Sequence, residues 1–221
     1  SLLDPNIRRD TFETVQIEDL LGRSEVHLEP AEVERKLRDK VVLVTGAGGS
    51  IGTELCRQIS GCGPRRLILL GKGENSIFEI QSELTRRFPE LELASVIADV
   101  QDLEKIEHVL RTHEPHVIYH AAAYKHVTFM EQNPEAAVCN NVLGTRNVAA
   151  AAVRHGIGQV VLISSDKAVY PSSVMGASKK LAEQIAQHYS DRGDTQFVSV
   201  RFGNVLRSRG SIVPIFERQI E

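Results

Sequence analysis

A hydroxyl, a carboxylate and an amine follow one another at Ser165, Asp166 and Lys167, directly after the apolar run at residues 160–163. An acid beside a base suits a reaction that removes a proton from one carbon while protonating a leaving oxygen. An isolated pair of this kind is more often a capping carboxylate and a surface lysine. Open α/β sheets bind ligands at the carboxyl ends of their strands, so the position after a predicted strand favours a catalytic function.

The segments that would position this triplet alternate between strand and helix patterns from residue 41 onwards. Apolar runs predict strands at residues 41–45, 67–70, 93–98, 117–120, 160–163 and 197–201. Helical patterns follow the first strand to about Ser60 and then occur at residues 75–88, 102–113 (with Asp102 as N-cap), 134–155 and 174–192. Continuous apolar strands are typical of parallel sheets covered on both faces. The alternation predicts an α/β fold of the Rossmann type, a doubly wound parallel sheet in three layers.

The division into domains follows from the change in pattern near residue 41. Residues 1–40 are polar and charged, and they predict an N-terminal arm with a short helix over residues 30–38. A partly disordered leader fits these residues equally well. Residues 41–221 are interpreted as the NAD(P)-binding domain.

Four glycines fall within seven positions between the first predicted strand and its helix. Glycines there permit a tight turn and let backbone N–H groups approach a pyrophosphate, which the helix N-terminus attracts. A glycine pattern in this strand–loop–helix context predicts dinucleotide binding far more strongly than the pattern alone. The candidate cofactor contacts in the loop are Gly46, Gly48, Gly49, Ser50, Ile51 and Gly52.

The ends of the second and third strands bear on the choice of cofactor. An acid at the end of the second strand would bind the ribose 2′-hydroxyl of NAD. Gly71 stands there instead, and Lys72 offers a positive charge to a 2′-phosphate, which slightly favours NADP over NAD. A solvated Lys72, or Glu74 reaching back to the ribose, would leave NAD in place. Asp99 and Val100 follow the third strand where adenine is usually contacted, although Asp99 also suits an ordinary turn.

Small residues follow the fourth strand at Ala121, Ala122 and Ala123, and they would let a nicotinamide ribose approach closely. Lys179 lies one helical turn after Met175, on the same face of the helix predicted for residues 174–192. Methionine cannot accept a proton, so any base for a substrate hydroxyl must be another residue.

Together these stretches resemble bacterial polysaccharide-biosynthesis nucleotide-sugar 4,6-dehydratases of the extended short-chain dehydrogenase/reductase superfamily. The resemblance is strongest to the long, membrane-associated branch that acts on UDP-N-acetylglucosamine. Most of the superfamily has tyrosine where this chain has Met175, but that branch has methionine, so Met175 supports membership. The matching stretches are residues 17–23, 44–52, 120–127, 141–145, 165–169, 174–179, 201–205 and 208–211.

The resemblance implies a reaction in which the sugar gives a hydride from C4 to the nicotinamide, loses water across C5 and C6, and regains the hydride at C6. Ser165 would contact the C4 oxygen, Asp166 would be the acid for the C6 hydroxyl, and Lys167 the base for the C5 proton. Lys179 would hold the nicotinamide ribose. Further implied contacts are Asn141 to the cofactor, and Lys125, His126 and Asn204 to the sugar or diphosphate.

The resemblance also sets expectations about the rest of the protein. The last strand and most of the substrate lobe are expected after residue 221, so the domain is interpreted as incomplete at its C-terminus and could be inactive alone. The resemblance implies a homo-oligomer at the cytoplasmic face of the inner membrane, held there only by segments outside this chain. Ser165 stands where threonine is common, and Gly71 where an acid is frequent.

Composition excludes several other classes of function. The formal net charge of −3 argues against a nucleic-acid partner, which selects basic surfaces. No apolar run approaches the roughly 20 residues that span a bilayer. Three scattered cysteines predict a reducing cytoplasm. His108, His113, His116 and His120 run from helix through loop into strand, so no metal site is expected.

Two alternatives stay open at this point. A nucleotide-sugar epimerase shares the fold and the cofactor, but it usually keeps tyrosine at the Met175 position and does not need Asp166 beside Lys167. A non-catalytic cofactor-binding module would explain Met175 as a sign of lost chemistry.

Overall fold

The computed structural model describes residues 30–205, and a parallel β-sheet forms the centre of this region. Its strands are β1 (Val41–Thr45), β2 (Arg66–Gly71), β3 (Glu92–Ile97), β4 (Val117–His120), β5 (Gln159–Ile163) and β6 (Gln196–Val200). They lie in the order β3-β2-β1-β4-β5-β6, and every neighbouring pair is parallel. The predicted doubly wound α/β fold is confirmed.

Helices connect the strands throughout the described region. They are α1 (Pro30–Leu37), α2 (Ser50–Gly61), α3 (Glu74–Arg87), α4 (Leu103–His113), α5 (Val127–Gln132), α6 (Pro134–Ala137), α7 (Gly144–Arg154) and α8 (Val174–Ser190). The helix predicted at residues 30–38 is confirmed as α1. Asp102 caps α4 as predicted, because its carboxylate accepts a hydrogen bond from the Lys105 amide at 3.0 Å. The rest of the predicted arm, residues 1–29, lies outside the described residues.

Both faces of the sheet are covered at β1 and β2, which explains the continuous apolar runs of these two strands. Side chains alternate between the faces along a strand. Val41 and Leu43 of β1 pack with Val109 of α4 and Val148 of α7 on one face. On the other face Val42 and Val44 belong to a separate cluster, whose helix residues include Leu37, Cys56, Ile59, Ile77, Ile80 and Leu84. These two cores fix the carboxyl ends of the strands, where the predicted site residues lie.

The prediction of one uninterrupted helix at residues 134–155 was wrong. The segment begins as α6, widens into a π-helix at Val138–Leu143, and continues as α7. A π-helical turn adds a residue relative to an α-turn, so the phase of the helix faces changes. The structure also contains α5, which sequence patterns missed because its six residues are too few to show a helical period.

The strand order identifies where a ligand would bind. The chain passes from β1 outward to β3 and then returns to the other side of β1 as β4. Ligands of open α/β sheets bind at such a reversal, outside the carboxyl ends of the two strands. The loops after β1 and β4 therefore form the expected crevice. Among residues 30–205, no helix combines the length and apolarity that crossing a membrane requires.

Candidate active site

The loop after β1 has a shape that only glycine permits. Gly46 has φ +69°, and a Cβ atom added there would lie 2.7 Å from the Ala122 amide nitrogen. A Cβ on Gly52 would lie 2.1 Å from the Gly46 carbonyl oxygen, since α2 starts almost in contact with the loop. Gly48 sits equally close to the side chain of Ser76 on α3. These approaches create the glycine cradle (residues 46–49) that a dinucleotide pyrophosphate requires.

The cradle leads directly into the N-terminus of α2. Gly49 is the N-cap, and Ser50 and Ile51 are the first two helical residues. Backbone N–H groups in the first turn of a helix, together with its dipole, favour a bound phosphate. The residues present therefore fit a dinucleotide, although binding by these particular residues stays a prediction.

At the end of β2, a lysine bridges the neighbouring strand ends. The Lys72 ammonium donates a hydrogen bond to the Tyr124 hydroxyl, lies 4.4 Å from that ring's centre, and is 3.6 Å from an Asp99 carboxylate oxygen. Burial opposes the charge, but the Tyr124 hydroxyl and Asp99 outweigh it, so the pKa of Lys72 is raised. A Cβ on Gly71 would lie 2.9 Å from the end of the Ile77 side chain, so a larger residue there would require Ile77 to move. Lys72 therefore places a positive charge at the end of β2, with the Asp99 carboxylate beside it.

The loop after β3 is fixed from two sides. The Asp99 carboxylate accepts from the Gln101 amide at 3.0 Å, which closes a local turn. Asn147 of α7 donates from its side-chain amide to the Val100 and Gln101 carbonyl oxygens at 3.1 and 2.9 Å. Val100 itself is 3% exposed. Asp99 therefore does act as a turn residue, while its second oxygen remains oriented towards Lys72.

Asn141 anchors the loop after β4 instead of extending into the crevice. It lies in the π-helix, is 1% exposed, and bonds both backbone groups of Tyr124, accepting from N at 2.8 Å and donating to O at 3.0 Å. Its amide also donates to Ser178 of α8 at 3.0 Å. The polar atoms of this side chain bond protein groups and hold Tyr124 in place, and its predicted contact with the cofactor stays a prediction.

A buried histidine joins the same network. His120 is 2% exposed, with Nδ1 2.7 Å from the Thr45 hydroxyl and Nε2 3.0 Å from the Thr145 hydroxyl. Thr145 already donates to the Asn141 carbonyl oxygen, so it accepts from Nε2–H, and Nδ1 accepts from Thr45. Burial, helped by the Lys179 charge, lowers the pKa of His120 to about 3. His116 instead bonds the Val41 amide at the opposite edge of the sheet, so these histidines do not converge.

Four of the predicted site residues meet at the ends of β5 and β6. The Ser165 hydroxyl donates to Asp166 Oδ1 at 2.9 Å, and Lys167 Nζ donates to the same oxygen at 3.2 Å. Lys167 Nζ also donates to Asn204 Oδ1 at 3.2 Å. A 3-10 turn at Asp166–Ala168 holds the triplet, with Ser165 as its N-cap. We call Ser165, Asp166, Lys167 and Asn204 the acid–base cluster.

The charge state of Asp166 follows from these contacts. Hydrogen bonds from Ser165 and Lys167 hold the pKa of this carboxyl below its ordinary value, because they stabilise the carboxylate. The resting side chain is therefore ionised at neutral pH. An acid role for Asp166 requires that it first receive a proton.

Lys179 and Met175 lie on the buried face of α8 with different partners. Lys179 is 5% exposed and donates to the Ile163 carbonyl oxygen at 2.6 Å. Burial lowers the pKa of its ammonium to about 8, although the negative charge of Glu183 acts to raise it. Met175 packs with Met130 and Ala137, and Tyr124 rests against this cluster. The thioether is thus held among apolar groups.

The remaining predicted substrate residues lie on the surface between β4 and α5. Lys125 and His126 are exposed, and the His126 ring lies 5.7 Å from that of Phe129. Ala121 and Ala122 are partly buried beside Gly46, and Ala123 is exposed. The sugar or diphosphate contacts of Lys125 and His126 stay predictions.

Sequence patterns missed an ion pair beneath the acid–base cluster. Glu183 accepts two hydrogen bonds from Arg201, at 2.9 and 2.6 Å, and a third from the Ser164 hydroxyl. The hydrogen bonds from Arg201 and Ser164 lower the pKa of Glu183, whereas burial raises it. The hydrogen bonds have the larger effect, so the pKa is lowered. The spacing of four residues from Lys179 was an available signal, because it places Glu183 on the same face of α8.

The parallel sheet, its reversal at β1 and β4 and the glycine cradle define a Rossmann domain of the extended short-chain dehydrogenase/reductase type. The chain belongs to the polysaccharide biosynthesis protein family, whose model matches residues 42–221. It is 56% identical over 208 residues to the probable polysaccharide biosynthesis protein EpsC of Bacillus subtilis, covering 94% of this chain and 35% of EpsC. Against the capsular polysaccharide biosynthesis protein CapD of Staphylococcus aureus, identity is 50% over 222 residues, covering 100% of this chain and 37% of CapD.

More distant relatives share the fold and less of the sequence. The solved structure of Pen from Bacillus thuringiensis superposes with a TM-score of 0.76 at 34% identity, covering 83% of this chain and 56% of Pen. A UDP-glucose 4-epimerase of Rickettsia rickettsii is 34% identical over 190 residues, covering 83% of this chain and 54% of the epimerase. The chain thus spans little more than a third of EpsC and CapD, and a little over half of Pen and of the Rickettsia epimerase.

Proposed function

We propose that the protein catalyses the NAD(P)-dependent dehydration of a UDP-sugar, UDP-N-acetylglucosamine in the first place, to its 4-keto-6-deoxy form. The observation that carries this proposal is the acid–base cluster, in which Asp166 and Lys167 share a contact at 3.2 Å at the carboxyl end of β5. An oxidation alone does not require this second acid and base. The polysaccharide roles of EpsC and CapD support a product used for surface polysaccharide.

The cofactor is expected to be NADP or NAD, bound along the glycine cradle with Lys179 near the nicotinamide ribose. When bound, it accepts the C4 hydride of the sugar and later returns it to C6. We favour NADP because Gly71 leaves no acid at the ribose and Lys72 is held at that end as a cation. A 2′-phosphate would take the place of Tyr124 or Asp99 as a partner of Lys72.

Ser165 and Asp166 can accept the proton that Met175 cannot. The Ser165 hydroxyl donates to the ionised Asp166 carboxylate, so a C4 hydroxyl that donates to Ser165 can pass its proton along this bond. The proton then resides on Asp166, which becomes the acid for the departing C6 hydroxyl. Lys167 must first release its ammonium proton to solvent; as a neutral amine it accepts the C5 proton, and it returns that proton to C5 after the hydride reaches C6. The sum of these transfers is the loss of one water molecule.

The surroundings of the reaction are proposed on the same basis. Residues 41–221 would form the cofactor-binding domain behind an N-terminal arm, with the substrate lobe supplied by further chain. Nicotinamide cofactors and nucleotide sugars are cytoplasmic metabolites, so the reaction would take place in the cytoplasm or at the cytoplasmic face of the membrane. A homo-oligomer is expected from the family resemblance.

Incubation with UDP-N-acetylglucosamine and catalytic NADP or NAD tests the proposal, with the products followed by NMR. The chain used should be long enough to match its curated relatives. A 4-keto-6-deoxy product formed without added reductant would support it. The same spectra report the configuration at C5. The 34% sequence identity to a UDP-glucose 4-epimerase favours 4-epimerisation as the second candidate function. A 4-epimer would replace the dehydratase with that activity, and cofactor binding without any product would leave a binding module.

A further inference from the structure

Glu183 connects α8 to the ends of β5 and β6, the two strands that the acid–base cluster follows. Its carboxylate pairs with Arg201, the residue directly after β6, and accepts from Ser164, the residue directly after β5. The Glu183 side chain is 10% exposed, whereas that of Arg201 is 49% exposed. A carboxylate with three hydrogen bonds in a partly buried position is held in a narrow range of geometry.

Two successive residues of the strand end are attached to two successive turns of α8. Ile163 accepts from Lys179, and Ser164 donates to Glu183, four residues later. The very next residues are Ser165, Asp166 and Lys167. On the other side, the Asp166 amide donates to the Phe202 carbonyl oxygen at 3.1 Å, one residue after Arg201. The ion pair therefore lies directly beneath both segments whose side chains meet at the Lys167–Asn204 contact.

We infer that Glu183 is a positioning residue for catalysis, which holds the Ser165–Lys167 turn and Asn204 in register. The catalytic meaning of this inference depends on the proposed dehydration, but its structural content does not. Two features distinguish Glu183 from an ordinary surface ion pair. It bonds both strand ends, and it is the anionic side chain within α8.

The charge of Glu183 also acts on the neighbouring ammonium of Lys179. Glu183 of α8 is the charge that supports its ammonium, while burial opposes it. His120 of β4 is neutral, and Arg201 competes for Glu183 from the end of β6. Loss of the Glu183 charge must therefore lower the pKa of Lys179, whereas loss of the competing Arg201 charge must raise it.

The test compares Glu183→Gln and Arg201→Met with the unaltered protein, without substrate or cofactor. The Lys179 pKa is followed by NMR of side-chain-labelled lysines, with the signal assigned from Lys179→Arg. Amide exchange at Asp166 is followed by mass spectrometry or NMR. We expect Lys179 to titrate lower in Glu183→Gln and higher in Arg201→Met. We expect the Asp166 amide to exchange about tenfold faster in both, since each loses charged hydrogen bonds.

Asp191→Asn is the matched control, because it removes one negative charge just after the same helix, where Asp191 contacts Gln187. It should change neither readout. Unchanged titration and exchange in Glu183→Gln would overturn the inference, as would equal changes in Asp191→Asn. A uniform rise in exchange across the whole chain would also overturn it, because that indicates general destabilisation. None of these readouts needs turnover, so an absent dehydratase activity would reject the proposed function separately.

Discussion

The Nζ atom of Lys167 lies 3.2 Å from Oδ1 of Asp166, the residue before it in the chain. In this contact the two groups carry the charges opposite to those that dehydration needs, since a general acid must hold a proton and a general base must lack one. In the proposed reaction Asp166 receives its proton from the C4 hydroxyl through Ser165, and Lys167 releases its ammonium proton to solvent. A substrate that excludes water from the pair would favour the neutral forms, because desolvation penalises both charges.

Replacement of Asp166 by asparagine should abolish the proton transfer from Ser165 while keeping the size of the side chain. We expect kcat for 4-keto-6-deoxy product to fall by about 10²–10⁴, the usual contribution of one general acid or base. The Kd for NADP, measured by fluorescence titration, should stay near that of the unaltered protein. Asp191→Asn serves as the control for loss of charge. Undiminished turnover in Asp166→Asn would refute the assignment.

Ser165→Ala and Ser165→Thr separate the proton path from local structure. Both Ser and Thr place a hydroxyl beside Asp166, and both can accept from the Lys167 amide, as Ser165 does at 3.3 Å. We expect Thr to keep kcat within about threefold and Ala to lose about 10² or more, in line with a lost proton relay. The measurement is initial rate of product formation by NMR. Equal rates in the two variants would mean that Ser165 carries no proton.

Two glycines of α2, Gly52 beside the cradle and Gly61 at the other end of the helix, allow the cradle to be tested. Gly52→Ala places a methyl group 2.1 Å from the Gly46 carbonyl oxygen, so the loop must shift. We expect a loss of about 1–3 kcal/mol in the free energy of unfolding, typical of overpacking, and a clear rise in the Kd for NADP. Gly61→Ala, at the last residue of α2 with open space around it, is the control. It should be neutral or stabilise by about 0.4–1 kcal/mol. Denaturant unfolding and cofactor titration measure both, and equal behaviour of the two variants would contradict the cradle.

The parts of the site that could be predicted from sequence are formed by residues that lie close together in the chain. The cradle follows from glycines placed between a strand and a helix, and the Ser165–Lys167 triplet is contiguous. The fold follows from strands whose two faces are both buried, as Val41 and Val42 show by pointing to different cores. In each case the residues that matter are neighbours in the chain or repeat with a simple period.

The parts that could not be predicted depend on contacts between distant residues. Lys72 meets Tyr124 across 52 positions, over the end of β1, and no periodicity indicates such a bridge. The bond between Asn141 and Tyr124 depends on the phase change in the π-helix, which no sequence pattern marked. Glu183 and Arg201 come together only because α8 packs on the ends of β5 and β6. These contacts are set by tertiary packing, and they determine which side chains remain available to ligands.

Lys72→Met tests the choice between the two cofactors. The variant keeps an aliphatic stem beside Tyr124 and removes the charge that we assign to a 2′-phosphate. We expect the Kd for NADP to rise about tenfold or more, the value of a charge-assisted contact, and the Kd for NAD to change by less than about threefold. Lys180→Met, at an exposed position on α8, is the control. Equal losses for NAD and NADP would place Lys72 outside the 2′ site.

The buried His120 gives the fold an acid sensitivity with a definite sign. Its pKa is about 3 in the folded protein, compared with about 6.5 when unfolded, so between these values the unfolded chain binds more protons. The stability that comes from keeping His120 neutral is therefore complete above pH 6.5 and is lost progressively as the pH falls towards 3. At pH 4.5 the loss attributable to this group is about 3 kcal/mol.

His120→Gln isolates this contribution because glutamine does not titrate and can still donate a hydrogen bond to Thr145. At pH 7 we expect the variant to be less stable by about 1–3 kcal/mol, since Thr45 loses its acceptor. The difference should shrink and then reverse as the pH falls to 4.5. Urea unfolding at pH 7, 5.5 and 4.5 measures it, with His108→Gln, at an exposed position on α4, as the control. A difference that stays constant over this range would show that His120 does not enter the fold as a neutral group, and would contradict the hydrogen bonds by which His120 connects Thr45 of β1 to Thr145 of α7.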